Sequence, residues 1–156
     1  TSVLGFSVNS LNLLLSLIGI MFVIGNACAG IVASRYGTKV LPLIALVLIV
    51  LLFGMRMAFS SSSWVGVHLL CLVCFVLALP ASIIQVLFLD IAEKKHPEAI
   101  NLASSLNPIC SNLGVSIGSL TGSVSLAAIS LDRIGYVGAV YALIALMTSL
   151  ILAHKS

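Results

Sequence analysis

The stretch that decides the fold is Gly19 to Val40, GIMFVIGNACAGIVASRYGTKV. From Gly19 to Ala33 it is apolar or small apart from Asn26. It then closes in the short basic turn Ser34-Arg35-Tyr36-Gly37-Thr38-Lys39 before a new apolar run opens at Val40. An apolar helix carrying Gly and Ala, ended by two cations and a glycine, is the pattern of a membrane span and its connecting hinge. The rest of the chain repeats it.

Composition explains why. Of 156 residues, 61% are hydrophobic and 7% charged, and the mean hydropathy is +1.29. A soluble domain carries about 25% charged residues, so too few polar groups exist here to cover a water-facing globule. Lipid is the solvent this chain demands, and the bilayer its first partner. The net charge of +3 is scattered over loops and makes no nucleic-acid footprint. Cys28, Cys71, Cys74 and Cys110 all lie inside apolar runs and read as small packing residues. Cys71-x-x-Cys74 lacks the second Cys or His cluster of a four-ligand zinc site. Neither metal nor cofactor is expected.

Charges divide the chain into five apolar runs, and a helix needs about 20 residues to cross the hydrocarbon. Spans are expected near 11–33, 40–59, 64–89, 99–131 and 134–153, all within one bundle over 1–156. Gly5-Phe6-Ser7 precedes the first. Arg56 lies near enough to the end of the second to snorkel. Ser60 to Ser63 is a polar turn, with Trp64 as the interfacial aromatic after it. Pro97 and Glu98 suit the first turn of the fourth helix, a continuous helix kinked at Pro108. Asp132-Arg133 makes the last hinge. The runs are continuous rather than alternating, which excludes a strand barrel. The fold class is all-α, a polytopic transmembrane bundle.

Lys and Arg set the orientation. One side holds Arg35, Lys39, Lys94, Lys95 and Lys155, the other only Arg56 and Arg133. The richer side is expected in the cytoplasm, together with the C-terminus. Five spans entering from outside, a start at Thr1 and a first methionine at Met21 lead us to expect at least one further span upstream.

Small and polar residues inside the spans carry the functional signal. Gly25, Ala29 and Ala33 fall four apart, as do Asn26, Gly30 and Ser34, giving two stripes that let a neighbouring helix approach, in static packing or at a moving interface. Gln85 is the lone amide deep in the third span. It serves either a polar pathway or interhelical hydrogen bonding worth about 1 kcal/mol or less. In the fourth span, at 100° per residue, Asn107, Ser111, Gly114, Gly118 and Gly122 fall within about 80°. Ser105, Asn112, Ser116, Ser119 and Ser123 share another face within about 60°. The first is a close-packing glycine rail, the second a candidate water-lined or interfacial surface. All the carboxylates (Asp90, Glu93, Glu98, Asp132) lie at or beyond span ends. No nucleophile, base and orienting acid can meet at one depth, so enzymatic activity is not expected.

The segment Gly30 to Lys39 resembles the loop signature of the major facilitator superfamily, in its second-half copy between helices eight and nine. Gly30, Arg35, Gly37 and Lys39 match, while Ser34 stands where the pattern has an acid and Thr38 where it has the first of two bases. Gly5-Phe6-Ser7, Gly25-Asn26, Gln85 and Asn112-Leu113-Gly114 with Gly118 are similar to the bacterial drug and sugar efflux branch, in particular the arabinose efflux permease group. Ile83 departs from it, where that branch often has proline.

The resemblance implies that the five spans are helices eight to twelve of a twelve-helix transporter in a bacterial inner membrane. Its missing N-terminal half would be the partner, and its substrate a small sugar-like or drug-like solute exported by proton-coupled alternating access. It further implies a cytoplasmic hinge at Gly30, Arg35, Gly37 and Lys39, and a pathway touching Gln85 and Asn112. The helix-packing seam of Gly25, Ala29, Gly114, Gly118 and Gly122 would then meet the other half. A membrane subunit that only packs, or a truncated remnant of such a transporter, is the alternative.

Overall fold

The computed structural model describes residues 8–128 and 134–155. Gly5-Phe6-Ser7 and the Asp132-Arg133 hinge lie outside the described residues. Five helices follow one another: α1 (Val8–Tyr36), α2 (Leu41–Ser61), α3 (Ser63–Lys95), α4 (Ile100–Ala128) and α5 (Ile134–Lys155). Short 3₁₀ turns, Gly37–Val40 and Pro97–Ala99, join α1 to α2 and α3 to α4. No strand occurs among the described residues. In lipid each backbone polar group must be satisfied within its own segment, which long continuous helices achieve.

Local chemistry sets the helix ends. Gly37 follows the last residue of α1 with φ +56, the left-handed position where a glycine closes a helix without a Cβ clash. Arg35 sits in the last turn, where the carbonyl end favours a cation. Between α2 and α3 the polar turn shrinks to one extended residue, Ser62, whose hydroxyl accepts from the Trp64 backbone N–H at 3.3 Å. That is an N-cap. α3 runs past the expected edge at Leu89 to Lys95, with Lys94 donating to Asp90 at 2.7 Å across one turn. It stops at His96 (φ −146, ψ 68), because the residue before Pro97 is pushed out of the helical region. Pro97 belongs to its own 3₁₀ turn rather than to α4, and α4 continues through Pro108.

Four helical stretches are long and apolar enough to cross a membrane: Asn12–Met55, Trp64–Lys95, Pro97–Ala128 and Ile134–His154. The first has 44 residues. As one straight helix it would reach about 66 Å, twice the ~30 Å hydrocarbon. Its contacts show that it folds back at Gly37. Gly25 meets Phe75 and Ala78, while Ala33 lies beside Ile83, so α1 runs parallel to α3. Gly54 meets Leu69 and Leu41 and Ile44 join the Val76–Ile83 cluster, so α2 runs antiparallel to it.

The central element is α3, which packs against α1, α2 and α4, while α5 lies along α2. A Cβ at Gly135 would stand 2.9 Å from the Leu52 carbonyl oxygen, and the Phe53 and Tyr136 rings meet at 5.5 Å, tilted by 54° to each other. The core is thin: Ala33, Leu41, Ile44, Val76 and Ile83. Outward, Leu13, Val23, Val50, Leu120 and Met147 are each more than 60% exposed. In water so large an apolar surface would aggregate; in hydrocarbon it is already solvated.

The turn yields a first prediction. Gly37→Val forces a β-branched residue to φ +56 and should destabilise the chain by about 1–2 kcal/mol. Gly37→Asn, tolerated in the left-handed region, should lose less. Thermal unfolding in detergent checks the order, which would be reversed or absent if the turn relaxed freely.

Candidate functional site

Polar side chains inside the bundle converge on one level of α3. Asn26 lies ten residues before the end of α1 at Tyr36, Gln85 ten before the end of α3 at Lys95, and Asn107 ten beyond Pro97. On α3 itself the polar contacts span Ala81 to Gln85, about 6 Å at 1.5 Å per residue, and Gln85 stands about 7.5 Å from Asp90, the first charge of that helix.

Hydrogen bonds tie the level together. Ser82 Oγ donates to Asn26 Oδ1 at 3.0 Å, joining α3 to α1. Asn26 Nδ2 donates to its own helix at Phe22 O, 3.0 Å. Asn107 Nδ2 donates from α4 to the Ala81 carbonyl of α3 at 3.1 Å. Gln85 Nε2 donates in the opposite sense, from α3 to the Ser104 carbonyl of α4, at 3.4 Å. Among the described residues no buried side-chain nitrogen or oxygen lacks a partner, as a low-dielectric interior requires.

The two small-residue stripes of α1 divide. Gly25 faces α3 so closely that a Cβ there would lie 2.6 Å from Phe75 O and 2.8 Å from Ala78 Cβ. Ala29 is fully buried and Ala33 nearly so. On the other stripe Gly30 meets nothing within 4 Å, and Ser34 is exposed. Arg35 and Lys39 are both exposed beside the turn that holds Gly37.

The fourth helix is different. Every residue from Pro108 to Leu120 is exposed, and added Cβ atoms at Gly114, Gly118 and Gly122 would meet nothing within 4 Å. Since Asn107 shares that face and touches α3, α4 separates from α3 beyond it. It regains contact at α5, where Tyr141 Oη donates to Thr121 Oγ1 at 3.0 Å. Most of its hydroxyls are satisfied along their own helix, Ser105 on Leu102 O, Ser116 on Asn112 O and Ser123 on Leu120 O. This is the usual way for serine to sit in a membrane helix. Ser111, Ser119, Ser125 and the Asn112 side-chain amide have no side-chain hydrogen bond among the described residues, and of these the amide is the most polar group.

Sequence reasoning did not single out Ser82 or the Ser104 carbonyl. A serine in a span normally bonds its own helix, and a carbonyl acceptor has no residue signature. The available signal was Pro108, which has no N–H to give the carbonyl four residues earlier.

A separate cleft of about 350 Å³ opens where the end of α1 and its turn meet α3, lined by Ala33, Gly37, Thr38, Ile83, Val86, Leu87 and Asp90. The Asp90 carboxylate is paired with Lys94, and the remaining lining is mainly apolar. The four cysteines are free thiols, and among the described residues no three His, Cys, Asp or Glu side chains come together. No family model matches the chain, and no solved structure matches it.

Proposed function

We propose that this chain is the five-span, C-terminal part of a bacterial inner-membrane efflux transporter of the major facilitator type. It exports a small solute by alternating access coupled to protons. The observation that carries the proposal is Asn112, an unpaired amide near the middle of α4 on an exposed face shared with Ser116 and Ser119. An amide left against lipid costs about 2 kcal/mol or more, so a water-lined pathway or a polar protein neighbour is the fitting environment. Support also comes from the interhelical polar contacts on α3, since transporter sites are built from polar groups inside the membrane between repeats. α1 and α4 then form the seam with the other half, through Gly30 on one and the glycine rail on the other. Gln85, half-buried beside them, lines the pathway, and Gly30, Arg35, Gly37 and Lys39 form the cytoplasmic hinge. No chemistry on a substrate is involved.

The test is efflux from cells carrying the gene with its natural upstream reading frame. Asn112→Leu should lower efflux while raising the thermal midpoint of the present chain in detergent, because the unpaired amide is gone; about 1 kcal/mol is expected. Arg35→Ala should lower efflux at unchanged membrane abundance. If efflux survives both changes, or if the frame upstream of Thr1 encodes no further spans, the packing subunit or remnant takes the place of the transporter.

A further inference from the structure

We infer that Gln85 and Asn107 form a reciprocal amide clasp over two prolines that fixes α3 and α4 in one register. α4 then pivots as a unit with α3 at this level. Pro108 has no N–H and its ring presses on the carbonyl four residues earlier, so the Ser104 carbonyl of α4 is freed from its own helix. The side chain that reaches it is Gln85, donating from α3 at 3.4 Å. The return bond starts one residue before Pro108: Asn107 donates to the carbonyl of Ala81, the residue after Pro80, at 3.1 Å.

The two bonds run in opposite directions between antiparallel helices, so sliding α4 by one turn, about 5.4 Å, breaks both. Beyond the clasp α4 stands clear of α3, since Gly114, Gly118 and Gly122 meet nothing. The clasp is therefore where α4 is held to α3, and farther along its described contact is with α5, through Tyr141 and Thr121. Gln85 thus acts as a positioning residue for the helix pair. The inference rests on the two bonds alone and is independent of the transport proposal.

The experiment is a double-mutant cycle on the chain in detergent, with Gln85→Leu, Pro108→Ala and the pair, read by reversible unfolding. Gln85→Leu alone should lower the folding equilibrium constant about threefold, the usual weight of one interhelical hydrogen bond. Pro108→Ala restores the 108-to-104 backbone bond, so in that background the same change should have little effect. Equal losses in both backgrounds overturn the clasp.

A second readout is independent of stability. With carbonyl-¹³C and amide-¹⁵N serine, only Ser–Ser steps give correlated NMR signals, and outside 60–63 the sole such step is Ser104–Ser105. Loss of the Gln85 donor should move the Ser104 carbonyl resonance upfield. A resonance that stays in place also overturns the clasp.

Discussion

Gly25→Ala will lower the thermal midpoint of the chain in detergent, whereas Gly30→Ala, five residues along the same helix, will hold or raise it. At Gly25 the new methyl meets the Phe75 carbonyl oxygen at 2.6 Å and Ala78 Cβ at 2.8 Å. Carbon atoms rest at about 3.5–4.0 Å, and one obstacle is backbone, which no rotamer change can remove. α1 must lift off α3. Overpacking of this kind costs about 1–3 kcal/mol, and here it also strains the Asn26–Ser82 bond one residue away. At Gly30 nothing lies within 4 Å, so alanine keeps only its helix preference, about 0.5–1 kcal/mol in its favour. Circular dichroism melts of the two variants, with a disulfide cross-link between Asn26→Cys and Ser82→Cys, check the pair. Equal behaviour of the two alanines would mean that α1 is not seated on α3 as described.

That contrast marks what could be read from the chain itself. The long apolar runs and the places where they break, the turn from Ser34 to Lys39, the polar turn before Trp64 and the charged loop after Leu89, were legible, because such breaks are local chemistry. The helix ends were less so. Pro97, expected in the first turn of the fourth helix, forms a turn of its own. Hydropathy marks where hydrocarbon stops, and α3 continues past Leu89 as helix through Asp90 and Lys94.

Hidden altogether was the choice between the stripes of α1. Gly25-Ala29-Ala33 and Asn26-Gly30-Ser34 have the same spacing and similar size. In water one face of a helix is apolar and its burial can be read from the pattern, but in lipid both faces are apolar. Only packing decides: the first stripe lies on α3 and the second faces away. The polar level was half legible. Gln85 and Asn26 stand out as amides in oil, while their partners, a backbone carbonyl and a serine, do not.

Gly118→Leu separates the stability of this chain from its proposed activity. A side chain at Gly118 enters open space, and leucine is a better helix former than glycine by about 0.8–1 kcal/mol. The chain alone should therefore unfold at the same temperature or a higher one. In the proposed transporter, Gly114, Gly118 and Gly122 are where a second half approaches α4, since small residues let membrane helices come close. Leucine there holds the halves apart, and efflux should fall to background at normal membrane abundance. The outcome turns on what solvates α4. If lipid covers that face, leucine is as welcome as glycine and efflux is untouched. If a moving helix covers it, the substitution that stabilises the piece disables the whole. Gly25→Ala gives the opposite sign for the piece, because its neighbour already belongs to this chain, whereas the neighbour proposed for Gly118 does not.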